Sequence, residues 1–244
     1  MEYALIPAFK DNYIHLLINP KTRKAIAVDP GDGDPVIEFI ETNRLDLSAI
    51  LITHHHSDHI DGVPGLKAVY NCKVYAPLKN KKEIFFADTY LGEGDFFIQD
   101  DFKFNVWEIP GHTLGHIAFL ETSNGWFYCG DTLFGLGCGK LFEGTNEMLH
   151  SSLEKIKTLP NNTLIFCAHE YTESNLKFSL SLPKDITYDV NFEMIQTWVT
   201  KRRSAMQPTI PTTIERELAY NLFLRVKSLN EFTKLRELRD QYQG

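Results

Sequence analysis

Between Thr53 and His59 the chain reads Thr-His-His-His-Ser-Asp-His, which places five potential metal ligands in six consecutive positions. Four of them, His54, His56, Asp58 and His59, follow the pattern His-x-His-x-Asp-His. Imidazole nitrogens and a carboxylate are donors that zinc and iron accept. A tight turn aims His54 and His56 at one ion while Asp58 and His59 face a second. The chemistry expected of such a loop is two-metal hydrolysis, and the rest of the chain must supply the remaining donors.

Three further residues meet that need. His112 lies in Ile109-Pro110-Gly111-His112-Thr113, Asp131 in Cys129-Gly130-Asp131-Thr132, and His169 in Cys167-Ala168-His169-Glu170. Each follows a predicted strand, where chain direction changes and sites assemble. Gly111 and Gly130 permit tight turns at two of these points. A consistent assignment puts His54, His56 and His112 on one ion and Asp58, His59 and His169 on the other. Asp131 bridges them through its two carboxylate oxygens. Two ions about 3.5–4 Å apart, with a hydroxide in the other bridging position, generate a nucleophile near neutral pH and polarise an ester-like carbonyl.

The other histidines have simpler readings. His55 is out of phase with the pattern and is expected not to be a ligand. His116 reads as a local hydrogen-bonding residue, and His15 and His150 as surface or satisfied core residues. Asp29, at the end of Val28-Asp29-Pro30-Gly31, is expected to orient the Thr53-His54 loop.

The elements that must position these residues begin with short strands expected at 3–7, 13–18 and 24–28. A helix follows from Asp34-Pro35 to about Thr42, with Asp34 as its cap, Pro35 at its first position and Asn43 as its stop. Ala49-Ile50-Leu51-Ile52 reads as a buried strand feeding the histidine loop. Further strands are expected at 102–109, 117–120, 126–129 and 164–166, and a helix at 147–159 capped by Asn146. Beyond Tyr171 the pattern becomes helical, over 172–181, 190–204, 215–228 and 231–241. The expected domains are therefore residues 1–170, a mixed sheet-and-helix catalytic domain, and residues 171–244, a small helical one.

The 244 residues, 43% hydrophobic, describe an ordinary globular chain with a mean hydropathy of -0.23. No apolar run approaches the roughly 20 residues that span a bilayer, and the N-terminus does not read as a signal peptide. Cys72, Cys129, Cys138 and Cys167 show no CxxC pairing and read as reduced thiols of a cytoplasmic protein. A net charge of -7 disfavours a general nucleic-acid binder. The charge is uneven: residues 201–244 carry nine Lys or Arg against five Asp or Glu. Such a tail reads most simply as a solvated surface, and it could also hold an anionic small molecule over a metal site. Neither a nucleic-acid nor a membrane partner is expected, and the chain is expected to be a monomer.

The histidine loop at the end of a strand resembles the metallo-β-lactamase superfamily. Within it the chain closely resembles glyoxalase II, the hydroxyacylglutathione hydrolases. The likeness runs through Ile6-Pro7-Ala8-Phe9, Asp11-Asn12-Tyr13, Val28-Asp29-Pro30-Gly31, Pro110-Gly111-His112-Thr113 and Gly130-Asp131-Thr132-Leu133-Phe134. It continues through Gly137-Cys138-Gly139, Phe142-Glu143-Gly144-Thr145, His169-Glu170-Tyr171-Thr172 and Phe223-Leu224-Arg225.

This resemblance implies an α/β fold, an αββα sandwich, with a C-terminal helical domain. It implies two divalent metal ions per chain, with zinc expected and iron or manganese as alternatives. The implied reaction is hydrolysis of the thioester S-D-lactoylglutathione to glutathione and D-lactate, the second step of methylglyoxal detoxification. Asp58 and Asp131 are the carboxylates expected to act in catalysis, Asp58 by briefly accepting a proton. Lys140, Tyr171 and Arg225 match the family's glutathione-binding positions, with Lys227 as a neighbour of Arg225. Phe142 stands where some relatives have a tyrosine, so that hydroxyl contact is lost. A glutathione persulfide dioxygenase on the same scaffold is the rival enzyme. It needs a single iron held by two histidines and an aspartate, and the intact second set Asp58, His59 and His169 argues against it. A non-catalytic glutathione- or metal-binding protein is the rival outside enzymes, and the complete ligand set argues against that too.

Overall fold

The computed structural model describes residues 1–243, which divide into two compact units. The first comprises Met1–Glu108 and Gly115–Gly130, the second Ile109–Leu114 and the described residues from Asp131 onward. This division by packing follows spatial contacts, whereas the change to helical patterning near residue 170 follows the order of the chain.

The first unit opens with β1 (Glu2–Ala8), β2 (Asn12–Asn19) and β3 (Lys24–Val28), antiparallel neighbours. Helix α1 (Asp34–Thr42) carries the chain to β4 (Asp46–Leu51), which lies parallel to β3. Two short helices, α2 (Ser57–Ile60) and α3 (Val63–Tyr70), lead to β5 (Lys73–Pro77) and then β6 (Thr89–Leu91), both added in parallel. The resulting sheet has the order β1-β2-β3-β4-β5-β6. In β2 and β3 apolar residues are buried on both faces, as central strands require. Val36 and Ile40 of α1 and Val63 and Leu66 of α3 join the core beside this sheet.

Four antiparallel strands follow: β7 (Phe96–Gln99), β8 (Phe102–Glu108), β9 (Ile117–Glu121) and β10 (Trp126–Gly130). They face the first sheet through aromatic pairs. Tyr75 stacks on Phe97 at 4.5 Å, and Tyr3 meets Trp126 edge-on at 5.6 Å. Helices on one sheet, and that sheet on a second, are three of the layers the resemblance implies.

The second unit contains a tight hairpin of β11 (Leu133–Phe134) and β12 (Gly137–Cys138). Helix α4 (Asn146–Ile156) and the antiparallel pair β13 (Leu164–Cys167) and β14 (Thr212–Thr213) accompany it. Helices α5 (Thr172–Ser181), α6 (Glu193–Ser204), α7 (Ile214–Tyr220), α8 (Leu222–Arg225) and α9 (Leu229–Gln241) complete it. Among the described residues no helix is long and apolar enough to cross a membrane.

Three local expectations change. Asp34 is the first helical residue of α1, not its cap; Gly33 is the cap. Thr145, not Asn146, caps α4, accepting from the Met148 amide at 3.2 Å. The helix expected over 215–228 breaks at Asn221. Its backbone is extended because its side chain caps α8, accepting from the Phe223 amide at 3.0 Å. The short strands β5, β6, β7 and β14 leave little mark in the sequence, because two to five residues show little periodicity.

Candidate metal centre

In the first unit the histidine loop leaves the buried end of β4, as its sequence position implied. Asp29 organises it. The Thr53 amide donates to Asp29 Oδ1 at 2.7 Å and the Thr53 hydroxyl donates to Oδ2 at 2.6 Å. With its proton committed to Asp29, Thr53 Oγ1 accepts from His54 Nδ1 at 3.0 Å. His54 therefore carries its proton on Nδ1 and presents the Nε2 lone pair, which lies 3.1 Å from His56 Nδ1. His59 places Nδ1 3.1 Å from Asp29 Oδ2 and Nε2 3.5 Å from Asp58 Oδ2. One buried carboxylate thus contacts both Thr53, which fixes His54, and His59, the kind of arrangement that aims imidazoles at a metal. Asp29, His54 and His59 also offer ligand atoms within 4.8 Å of one another.

Three neighbours complete this half. Asn12 donates to Asp58 Oδ2 at 2.9 Å. His116 stacks on His54 with ring centres 4.7 Å apart. His55 turns aside, its Nδ1 3.0 Å from Asn80 Nδ2. Gly130 is also required here. Its φ is +47°, and a Cβ would sit 2.4 Å from Thr53 Oγ1 and 2.8 Å from His116 Nε2. Asp29 occupies the anchoring role expected of it, toward the Thr53-His54 loop. Asn12 was not singled out, although it lies in the quoted Asp11-Asn12-Tyr13 segment. Its only signal is a buried amide at the start of a strand.

In the second unit His112, Asp131 and His169 come together from loops 38 positions apart at their furthest step. Asp131 Oδ2 lies 3.4 Å from His112 Nε2, and Oδ1 lies 3.4 Å from His169 Nε2. His112 Nδ1 sits 2.7 Å from the Lys140 carbonyl, which can only accept, so the proton is on Nδ1. The Nε2 lone pair then faces a carboxylate oxygen. Two acceptors turned toward each other repel unless a cation lies with them. These donors fit divalent metal ions on their own geometry.

The residues expected to bind substrate fall into two groups. Tyr171 stacks on His169 at 4.8 Å with the rings 3° from parallel. The exposed ring of Phe142 stands edge-on to His112 at 5.1 Å, with Lys140 Nζ 5.7 Å from its centre. Arg225 and Lys227 line a polar cavity of about 450 Å³ with Lys184, Asp185, Tyr188 and Asp189.

Residues 16–169 match the metallo-beta-lactamase superfamily, and residues 170–242 match the hydroxyacylglutathione hydrolase C-terminus. A hydroxyacylglutathione hydrolase of Bdellovibrio bacteriovorus is 49% identical over 97% of this chain and 96% of its own. One from Pelagibacter ubique is 39% identical over 99% of this chain and 100% of its own. The fold is similar to that of ETHE1 from Myxococcus xanthus, with a TM-score of 0.74 at 23% identity, covering 97% of this chain and 90% of that one. Superfamily membership implies divalent metal ions at the histidine and aspartate donors. The chain belongs to the hydroxyacylglutathione hydrolases of the metallo-β-lactamase superfamily, with the metallo-β-lactamase fold and a set of C-terminal helices.

Proposed function

We propose that this chain hydrolyses S-D-lactoylglutathione, a 2-hydroxyacylglutathione thioester, to glutathione and D-lactate. The observation that carries this reading is the joint match of residues 16–169 to the superfamily and of 170–242 to the hydrolase C-terminus. In this reading residues 1–170 are the catalytic domain and 171–244 the glutathione-binding domain. His54, His56 and His112 would hold one ion and Asp58, His59 and His169 the other, with Asp131 as a carboxylate for both. When bound, two such ions lower the pKa of water to supply a nucleophile and polarise the thioester carbonyl. Zinc suits the donor set best, with iron or manganese as substitutes.

The chain's own residues do the rest. Asp29 and Thr53 fix the tautomer of His54, and the Lys140 carbonyl fixes that of His112. In this reading Asp58, whose Oδ2 accepts from Asn12 at 2.9 Å, takes up the proton that the reaction releases. Lys140, Arg225 and Lys227 attract the two carboxylates of glutathione, and Tyr171 and Phe142 provide ring surfaces for its backbone. A thiol with a pKa near 8.5 leaves without a dedicated general acid. The chain works in the cytoplasm as a monomer.

The test is to measure metal per purified chain and to follow thioester loss with S-D-lactoylglutathione. Two metals and rapid hydrolysis support the reading. One iron, no hydrolysis and oxygen consumption with a glutathione persulfide overturn it in favour of a dioxygenase.

A further inference from the structure

The hairpin between Asp131 and Lys140 is held peptide by peptide from the C-terminal helices of its own unit. Asn175 Nδ2 of α5 donates to the Gly135 carbonyl at 3.0 Å. The buried Glu217 carboxylate of α7 accepts from the Leu136 amide at 2.8 Å. Asn221 Nδ2 donates to the Gly137 carbonyl at 2.9 Å and bonds Glu217 Oε2 at 2.9 Å. Arg236 of α9, itself buried, sends Nη1 to the carbonyls of Cys138 at 3.2 Å and Gly139 at 3.3 Å. Its Nη2 pairs with Asp240 at 2.9 Å, and its guanidinium lies over the Phe223 ring.

The two ends of this hairpin meet. The Gly139 amide donates to the Thr132 carbonyl at 3.1 Å, and a Cβ on Gly139 would lie 2.0 Å from the Asp131 carbonyl oxygen. Lys140 follows directly, and its carbonyl accepts from His112 Nδ1. The Phe142 amide returns to the His112 carbonyl at 3.1 Å. Arg236 therefore holds the two peptides that precede the carbonyl on which His112 is aligned, and the same peptides set the base of the Lys140 side chain.

We propose that Arg236 is a positioning residue that aligns His112 for its metal and Lys140 for substrate through the 138–140 backbone. This rests on the reading above that His112 is a ligand and Lys140 a substrate contact. A planar fork can serve two carbonyls at once while pairing with Asp240, whereas an ammonium is a point donor. A positioning role is distinguishable from a merely structural one. Loss of stability alone lowers the melting temperature without changing KM or metal affinity in the folded fraction. Loss of alignment changes both well below the melting temperature.

The experiment compares Arg236→Gln, Arg236→Lys, Lys140→Ala and Leu235→Ala. Leu235 is a buried neighbour in the same helix with no donor to lose. Each variant, purified with its metals, is assayed for the melting temperature, KM and kcat with S-D-lactoylglutathione, and the rate of metal release to a chelator. Arg236→Gln is expected to raise KM and to speed release of one metal, each about tenfold, the usual effect of losing a residue that orients a ligand. Arg236→Lys is expected to fall between it and wild type. Leu235→Ala is expected to lower the melting temperature alone. The proposal is overturned if Arg236→Gln shifts only the melting temperature, or if Leu235→Ala moves KM and metal release equally. If Lys140→Ala leaves KM unchanged while Arg236→Gln still speeds metal release, the substrate role of Lys140 falls and the alignment of His112 stands.

Discussion

The two halves of the donor set are built in opposite ways. In the first unit four candidate ligands lie within six residues, and their fastening is short. Asp29 reaches Thr53 and His59, and Asn12 reaches Asp58, all around the end of one sheet. In the second unit three candidate ligands come from three separate loops. Their fastening comes from helices as far along the chain as Arg236. The first half is a motif that a single turn creates. The second is an assembly that exists only once distant helices have packed. The difference teaches that a ligand set can look complete in one short stretch and still depend on contacts that no stretch contains.

Substitutions can break or sharpen that contrast. The largest effect is expected from Asp131→Ala. It removes the carboxylate that faces both His112 and His169, so it acts on the dispersed half at its centre. A loss of about 4 kcal/mol of charge stabilisation lowers kcat about 10³-fold, with metal content per chain reduced. Unchanged turnover with full metal would show that the second half is dispensable.

Asp29→Asn tests the compact half. It keeps the size of the side chain but weakens the acceptor shared by Thr53 and His59. Metal affinity is expected to fall about 10- to 100-fold by chelator competition. An effect below twofold would mean that the loop holds its shape without its anchor.

Glu217→Gln examines the frame behind the dispersed half. Burial raises the carboxyl pKa of Glu217, against the opposing pull of Thr212, Asn221 and the Leu136 amide. A raised acid pKa means that the folded state holds the proton more tightly than the unfolded one. That stabilisation is fully present below the ordinary carboxylate value of about 4.3 and is lost as pH rises through the folded value. The melting temperature of the wild type relative to Glu217→Gln should therefore fall as pH rises from about 4 toward neutrality, by a few degrees. A parallel pair of curves would contradict this.

The smallest effect is expected from His55→Ala. His55 lies inside the cluster yet bonds Asn80 rather than joining the donor atoms. A kcat within about twofold of wild type would show that spacing, not the number of histidines, defines the compact half. A loss comparable to that of Asp29→Asn would remove the distinction.

The sequence by itself carried much of this. The donor types, the spacing within 53–59, the strands that precede His112, Asp131 and His169, and the anchoring role of Asp29 were all legible. So was the helical tail, because helical periodicity and strand-end glycines are properties of neighbouring residues. The caps were less so: Thr145 and Asn221 compete with adjacent Asn146 and Leu222, and only the backbone angles choose between them. Nothing local marked Asn12, Arg236 or Glu217 as parts of the site. Their roles are set by which carbonyl or carboxylate packing brings within 3 Å or so, and that is a contact across 46 to 98 residues. Ligand identity is written in side-chain chemistry, which covalent sequence fixes. Tautomer and aim are written in hydrogen bonds, which only the tertiary structure supplies.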